Sequence, residues 1–226
     1  REMSNKRYSY RLVLAPETIG AITYISRNFS ELKANVKAAF NLTCVGDDRT
    51  FSLVHSRYAD TYADHLMMNV LKYHTQGYDE YSYTARGSDE RQYQAPGVDI
   101  PMVCFCRSKY HIYPEYHTSA DNMNMISPAG LQGSFDIMTA VIKLAEKNRK
   151  YRTAVLCEPQ LGKRGLVPTM SSKETYQETL ALKDLIAYAD GRNDLLGISE
   201  IIGQPADLLA SLAEKLLECG LFEVAE

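Results

Sequence analysis

The sequence predicts a three-layer α/β protein with a mixed sheet, followed by a small, mostly helical C-terminal domain. Three observations carry this. Apolar stretches with strand spacing alternate with stretches of helical spacing up to about residue 170. Tandem hairpin signals are lacking there. From about Ser171 the pattern is helical alone, broken at Gly191, Gly203 and Gly220.

Tyr8, Tyr10, Leu12 and Leu14 alternate onto one face, so Tyr8 to Leu14 reads as a strand ending just before Glu17. Ile19 to Arg27 reads as a short helix. Val36 to Val45 reads as an apolar strand stopped by Gly46-Asp47-Asp48-Arg49. Tyr58 to His74 is a longer helical stretch. Gly87 to Pro101 has loop composition, and Met102 to Cys106 is a short buried strand. Ser127-Pro128 supplies an N-cap and a first-turn proline, and Leu131, Phe135, Met138, Ile142 and Ala145 then share one helical face. The tail reads as helices over Lys173 to Ala189, Asp194 to Ile202 and Pro205 to Cys219. With a strand starting in Leu221-Phe222-Glu223-Val224, this is winged helix-turn-helix spacing. The domains are therefore drawn at 1–170 and 171–226.

With 226 residues, 45% hydrophobic and 23% charged, the chain has enough apolar material for one substantial core and a small appendage. A net charge of -3 without runs of like charge gives no nucleic-acid footprint. No stretch approaches the roughly 20 apolar residues of a bilayer span, and no signal-peptide pattern follows Arg1, so a cytoplasmic protein without a membrane role is expected. Five cysteines fit a reducing compartment. The start at Arg1, within a polar loop, reads as the C-terminal part of a longer protein.

The chemistry concentrates at two places. Glu17, in Pro16-Glu17-Thr18-Ile19-Gly20, stands where sheet enzymes place catalytic carboxylates. His117 lies in the tyrosine-rich Tyr116-His117-Thr118-Ser119-Ala120-Asp121, not on an apolar helix face. Asp121 either orients the loop of His117 or caps the following turn. Asp47 and Asp48 are replacement metal ligands or simply satisfy amides of their own turn. Ser88 and Asp89 border a loop suited to a cationic group, or pair internally with Arg86 or Arg91. Cys104 and Cys106 share a strand face, where small buried side chains are the simpler account. His55, His65, His74 and His111 show no ligand spacing.

Four blocks occur in an order and spacing that resembles zinc aminopeptidases of the bacterial leucyl aminopeptidase type: Glu17-Thr18-Ile19-Gly20; Asn41-Leu42-Thr43-Cys44-Val45-Gly46; Ser88-Asp89-Glu90 with Gly97-Val98-Asp99-Ile100-Pro101; and Tyr116-His117-Thr118 with Asp121. The whole chain, with Glu158-Pro159-Gln160-Leu161-Gly162 and the helical tail, more closely resembles an aminopeptidase-like family with an appended winged helix, often encoded with polysaccharide-biosynthesis genes. The resemblance implies a zinc-exopeptidase-like sheet, Glu17 as general base and His117 as a zinc ligand, with Tyr116, Ser88, Asp89 and Asp121 about the pocket. Two metal carboxylates of the dinuclear enzymes are here Thr18 and Thr43, and no His-x-Asp occurs. One zinc per chain is therefore expected, with its other ligands from an upstream segment.

The function this implies is hydrolysis of an amide or peptide bond in a small amino-acylated or peptide-like substrate by zinc-activated water. The alternative is a catalytically silent protein that keeps the fold and uses the winged-helix tail for protein contacts. DNA is disfavoured as a partner, because from Asp190 to Glu226 eight acidic residues face two basic ones, a net of -6. A homo-oligomer formed through the helical tail fits better.

Overall fold

The computed structural model describes residues 6–166 and 173–225, in two compact units that part after Ile142.

The first unit is built on a four-stranded mixed sheet. It contains α1 (Ile19–Asn35), β1 (Ala39–Leu42), β2 (Ser52–Val54), α2 (Tyr62–His74), β3 (Asp79–Tyr81), the single turn α3 (Glu90–Tyr93), β4 (Met102–Cys106) and most of α4 (Pro128–Lys147). Strand order is β1-β4-β2-β3. β1 runs parallel to β4, with Ala39 opposite Met102 and Leu42 opposite Phe105, and β2 is antiparallel to β4 and parallel to β3. β4 is buried along its whole length, so it reads as a continuous apolar run without alternation. Behind it Ala21, Ile25 and Leu32 of α1 pack with Tyr93, Ile100 and Met102.

α2 begins where a capping box begins it. Thr61 accepts the Asp64 amide, and the Asp64 carboxylate accepts the Thr61 amide at 2.9 Å. The same fully buried carboxylate takes the Ser56 amide and hydroxyl and the Thr61 hydroxyl. His55 lies between carboxylates, with Nδ1 3.0 Å from Asp64 and Nε2 3.1 Å from Glu80. The bond to Asp64 chiefly raises the imidazole pKa against the opposing pull of burial. Burial acts on Asp64 in the opposite sense to its hydrogen bonds, and the bonds win, holding it well below the usual carboxylate range.

The second unit pairs β5 (Lys150–Thr153) with β6 (Asp190–Asp194) and β7 (Phe222–Ala225) in an antiparallel sheet. Against it stand α5 (Lys173–Tyr188), α6 (Leu195–Ile202) and α7 (Ala206–Glu218). Leu185, Leu195, Ile198, Leu209, Leu212, Leu216 and Phe222 form its core. α6 is capped by Asp194, which accepts the Gly197 amide at 2.9 Å, and ends on Gly203 at φ 68.

Four expectations change. Tyr8 to Leu14 is not a strand: a strand forms by backbone pairing, and no described strand pairs with it. Leu12 and Leu14 are 80% and 86% exposed. The segment is tied instead to α1, where Arg11 donates to Tyr24 and Glu31, and α1 runs eight residues beyond the expected Arg27. On α4 the buried positions are Gly130, Ser134, Ile137, Val141, Leu144 and Ala145, so that of the expected face Ala145 is buried, Met138 and Ile142 are half-buried, and Leu131 and Phe135 are exposed. Small residues set that face: a Cβ on Gly130 would fall 2.1 Å from the Gly46 carbonyl oxygen, and Ser134 donates to the Val45 carbonyl at 2.7 Å. Finally, the expected boundary at 170/171 lies outside the described residues, and β5, placed by that boundary in the first domain, belongs to the sheet of the second unit.

Candidate functional site

Thr18, Cys44, His111 and His117 all hold positive φ, between 50° and 65°. A side chain makes that conformation cost about 1–2 kcal/mol per residue. A linked set of contacts brings three of these residues together. The Tyr116 ring stacks on His117 at 3.9 Å between centroids and meets His111 edge-on at 4.8 Å. His111 and His117 are themselves 6.4 Å apart. Tyr113 packs edge-on against Tyr116 at 5.5 Å, and its hydroxyl lies 3.5 Å from the Cys44 sulfur.

Glu17 reaches this cluster through its charge. The Tyr116 phenol pKa is raised first by burial, then by the charges of Cys44, Glu17 and Asp121. The carboxylate is exposed, in the turn just before α1, where the Ile19 amide donates to the Glu17 carbonyl at 2.7 Å. The adjoining Thr18 is held from both ends: its amide donates to Asp89 at 2.7 Å, and its hydroxyl accepts from Arg91 at 2.6 Å. The charge of Glu17 thus acts on the ring that stacks on His117.

Beneath the cluster lies Glu90, fully buried. Its carboxylate accepts from the Tyr110 hydroxyl (2.7 Å), Asn41 (2.9 Å) and the amides of Gly87 and Ser88. Burial pushes its pKa up, but the four donors outweigh that and hold it low. Gly87 must lack a side chain, because a Cβ would come 2.6 Å from the Tyr110 ring and 3.2 Å from His111 Nε2. Glu90 therefore ties β1, the Gly87 loop and the start of the aromatic loop to one carboxylate.

The remaining expected site residues fall elsewhere. Asp121 accepts from the Tyr113 hydroxyl at 3.3 Å, so it touches the loop of His117 through Tyr113. Asp89 engages the Thr18 backbone instead of an ion pair, and Ser88 is buried with its amide on Glu90. Of the two readings for Asp47 and Asp48, the contacts here are those of carboxylates engaged by neighbouring groups. Asp47 is buried, with its oxygens on the Arg49 amide and the Ser108 amide and hydroxyl, and Asp48 accepts from Ser127 at the start of α4. Cys104 and Cys106 are buried 3.7 Å apart, and burial pushes the Cys104 thiol well up, as packing residues.

Sequence reasoning missed His111 and Cys44, and it read the carboxylates of Asp89 and Glu90 as a receptor for a cationic group or as ion-pair partners of Arg86 or Arg91, not in the contacts they make here. Glu90 and Cys44 stood inside quoted blocks, but their partners come from other segments and no spacing shows them. Among the described residues no group of three or more His, Cys, Asp and Glu side chains is arranged to hold a metal ion. The donor set therefore does not fit a zinc by itself.

An aminopeptidase-like α/β unit followed by a winged-helix unit is the class of protein that this fold defines. Residues 1–148 match the family described as a domain of unknown function, DUF4910, and residues 149–224 match a winged helix-turn-helix family. The chain belongs to the DUF4910 family. It is 36% identical over 220 residues to a protein of Clostridium acetobutylicum provisionally named as a polysaccharide biosynthesis protein with an aminopeptidase-like domain, covering 96% of this chain and 50% of that protein. A crystal structure from Clostridium acetobutylicum, provisionally titled a peptidase, is similar at 34% identity and a TM-score of 0.88, over 97% of this chain and 49% of that one. An aminopeptidase from Aneurinibacillus sp. strain AM-1 aligns at 21% identity and a TM-score of 0.47, over 56% of this chain and 30% of that one. The chain spans about half the length of the curated relative it matches. No single helix among the described residues is long and apolar enough to cross a membrane.

Proposed function

We propose that the first unit carries the Glu17 and His117 side of an aminopeptidase-like amide hydrolase acting on a small amino-acylated or peptide-like substrate. What supports this reading is the charge of Glu17 acting on Tyr116, whose ring stacks on His117, with Thr18 and His117 in backbone conformations that side chains occupy only at a cost. In this reading Glu17, exposed and without a side-chain ion pair among the described residues, takes the proton of the attacking water. His117, fixed by the Tyr116 ring, presents an imidazole to the same space. The names of the Clostridium acetobutylicum relatives support a peptidase-like role at the level of the family.

Zinc belongs to the reading through the resemblance alone. It would supply the Lewis acid of amide hydrolysis, with His117 as one donor and the others from residues beyond those described here. Thr18 and Thr43 favour the second reading, a protein that binds a peptide-like ligand without turning it over.

One experiment separates the two. Full-length protein purified without chelator is assayed for bound metal and for hydrolysis of amino-acid amides, beside Glu17→Gln. About one zinc per chain is expected, with turnover that falls in the variant by roughly 10²–10⁴-fold, the usual worth of a general base. Turnover equal in both proteins would remove Glu17 from the chemistry. Ligand binding without turnover in either would leave the silent reading.

A further inference from the structure

An open cleft of about 470 Å³ lies in the first unit, with Arg57, Arg86 and Arg91 on its walls beside Tyr83, Ala95 and Pro96. We propose that this cleft is an oxyanion-binding site, taking a carboxylate or phosphate group of a small molecule.

Charge is the first argument. Three arginines line one cleft, and the one carboxylate among their described ion pairs is Asp99, on Arg57. Asp99 is shared, with Lys33 3.7 Å away. The nearby acids are otherwise engaged, Asp89 with the Thr18 amide and Glu90 with four donors beneath the aromatic loop. Like charges brought together at a partly desolvated wall repel one another until an anion joins them.

Unspent donors are the second argument. Nε of Arg57 and Nε of Arg91 are both buried without a hydrogen-bond partner. Each costs stability while it stays unpaired, and a small shift of either guanidinium toward a bound oxyanion pairs it. Arg86 is exposed and stacks on the Tyr83 ring at 4.8 Å, at the wall of the cleft. Burial raises the Tyr83 phenol pKa while the charges of Arg86 and Arg57 pull it down. Guanidinium forks match the paired oxygens of carboxylates and phosphates, which selects oxyanions over other anions.

Position is the third. Arg91 donates to the Thr18 hydroxyl, so the cleft adjoins the turn that carries Glu17. That the bound anion belongs to the substrate rests on the hydrolase reading above, whereas the binding itself does not. The loop read from sequence as a receptor for a cationic group thus borders a receptor for the opposite charge.

The test is calorimetric titration at low ionic strength with two probes, inorganic phosphate and glutarate, into the wild-type chain and into Arg86→Gln. Arg86 is exposed, so the variant folds as the wild type does, which circular dichroism checks. Saturable one-to-one binding of at least one probe is expected, weakened about tenfold or more in Arg86→Gln, as for loss of one charged hydrogen bond. Preference for phosphate identifies a phosphorylated ligand, and preference for glutarate a carboxylate. Absence of saturable binding by both probes, or equal affinity in Arg86→Gln, overturns the proposal. Glu17→Gln is titrated in parallel and retains wild-type affinity, so loss of the hydrolase reading leaves the cleft standing and the converse also holds.

Discussion

The two units place their left-handed residues differently. Among the described residues of the first unit, six side-chain-bearing residues have positive φ: Thr18, Cys44, Ala59, Asp99, His111 and His117. In the second unit the burden falls on Gly165, Gly191, Gly203 and Gly220, with Cys157 the one exception. Glycine meets this conformation without steric cost, and the second unit uses it where helices and strands must turn. The first unit keeps histidines and a threonine there and accepts the cost. A segment selected for packing relaxes its backbone, whereas one selected for side-chain placement holds it under tension.

The largest expected effect lies beside this contrast, where the first unit builds a well-paired polar centre. Asp64→Ala removes the acceptor for His55, Ser56 and Thr61 and leaves buried donors unpaired, at about 3 kcal/mol or more in urea unfolding. A loss below about 1 kcal/mol would mean that the network is not formed in solution.

The contrast itself is tested by exchanging glycine and side chain. Gly203→Ala is expected to destabilise the second unit by about 1–2 kcal/mol, whereas His117→Gly is expected to stabilise the first by up to about 1 kcal/mol and to abolish any turnover. Equal destabilisation by both would show that the His117 backbone is not under tension.

The smallest effect is a pH dependence with two limbs. Folding raises the His55 pKa, so its contribution is complete below the unfolded value of about 6.5 and fades as pH rises through the folded value. Folding depresses Asp64 and Glu90, so theirs is complete above about pH 4.5 and fades as pH falls. The melting temperature is expected to peak between these limits, and His55→Gln to flatten the alkaline limb and to weaken the acid limb in part, since the imidazole is also one of the bonds that hold Asp64 low. An alkaline limb unchanged in the variant would place the linkage elsewhere.

Much of this was legible where local rules suffice. Met102 to Cys106 is apolar throughout and is β4 to the residue, Ser127 accepts the Gly130 amide as the N-cap of α4, and the last two tail helices end at Gly203 and beside Gly220, whereas Gly191 falls inside β6. The buried face of α4 was misread because Gly130 and Ser134 carry no hydrophobic signal, and what they approach is backbone. Tyr8 to Leu14 has strand alternation, but alternation does not provide a neighbour to pair with. At the candidate site, Glu17 and His117 were singled out by ordered motifs. His111, the four donors around Glu90 and the arginine cleft were not, since each is defined by residues that only folding brings together.

Gly130 has a consequence that reaches the site. The peptide it rests against, Gly46-Asp47, belongs to the loop that leaves β1 just after Thr43 and Cys44. The height of that loop above the helix is gauged by a single hydrogen atom. Even one methyl group there would lift the floor on which Cys44 meets Tyr113, far from any residue that touches a ligand.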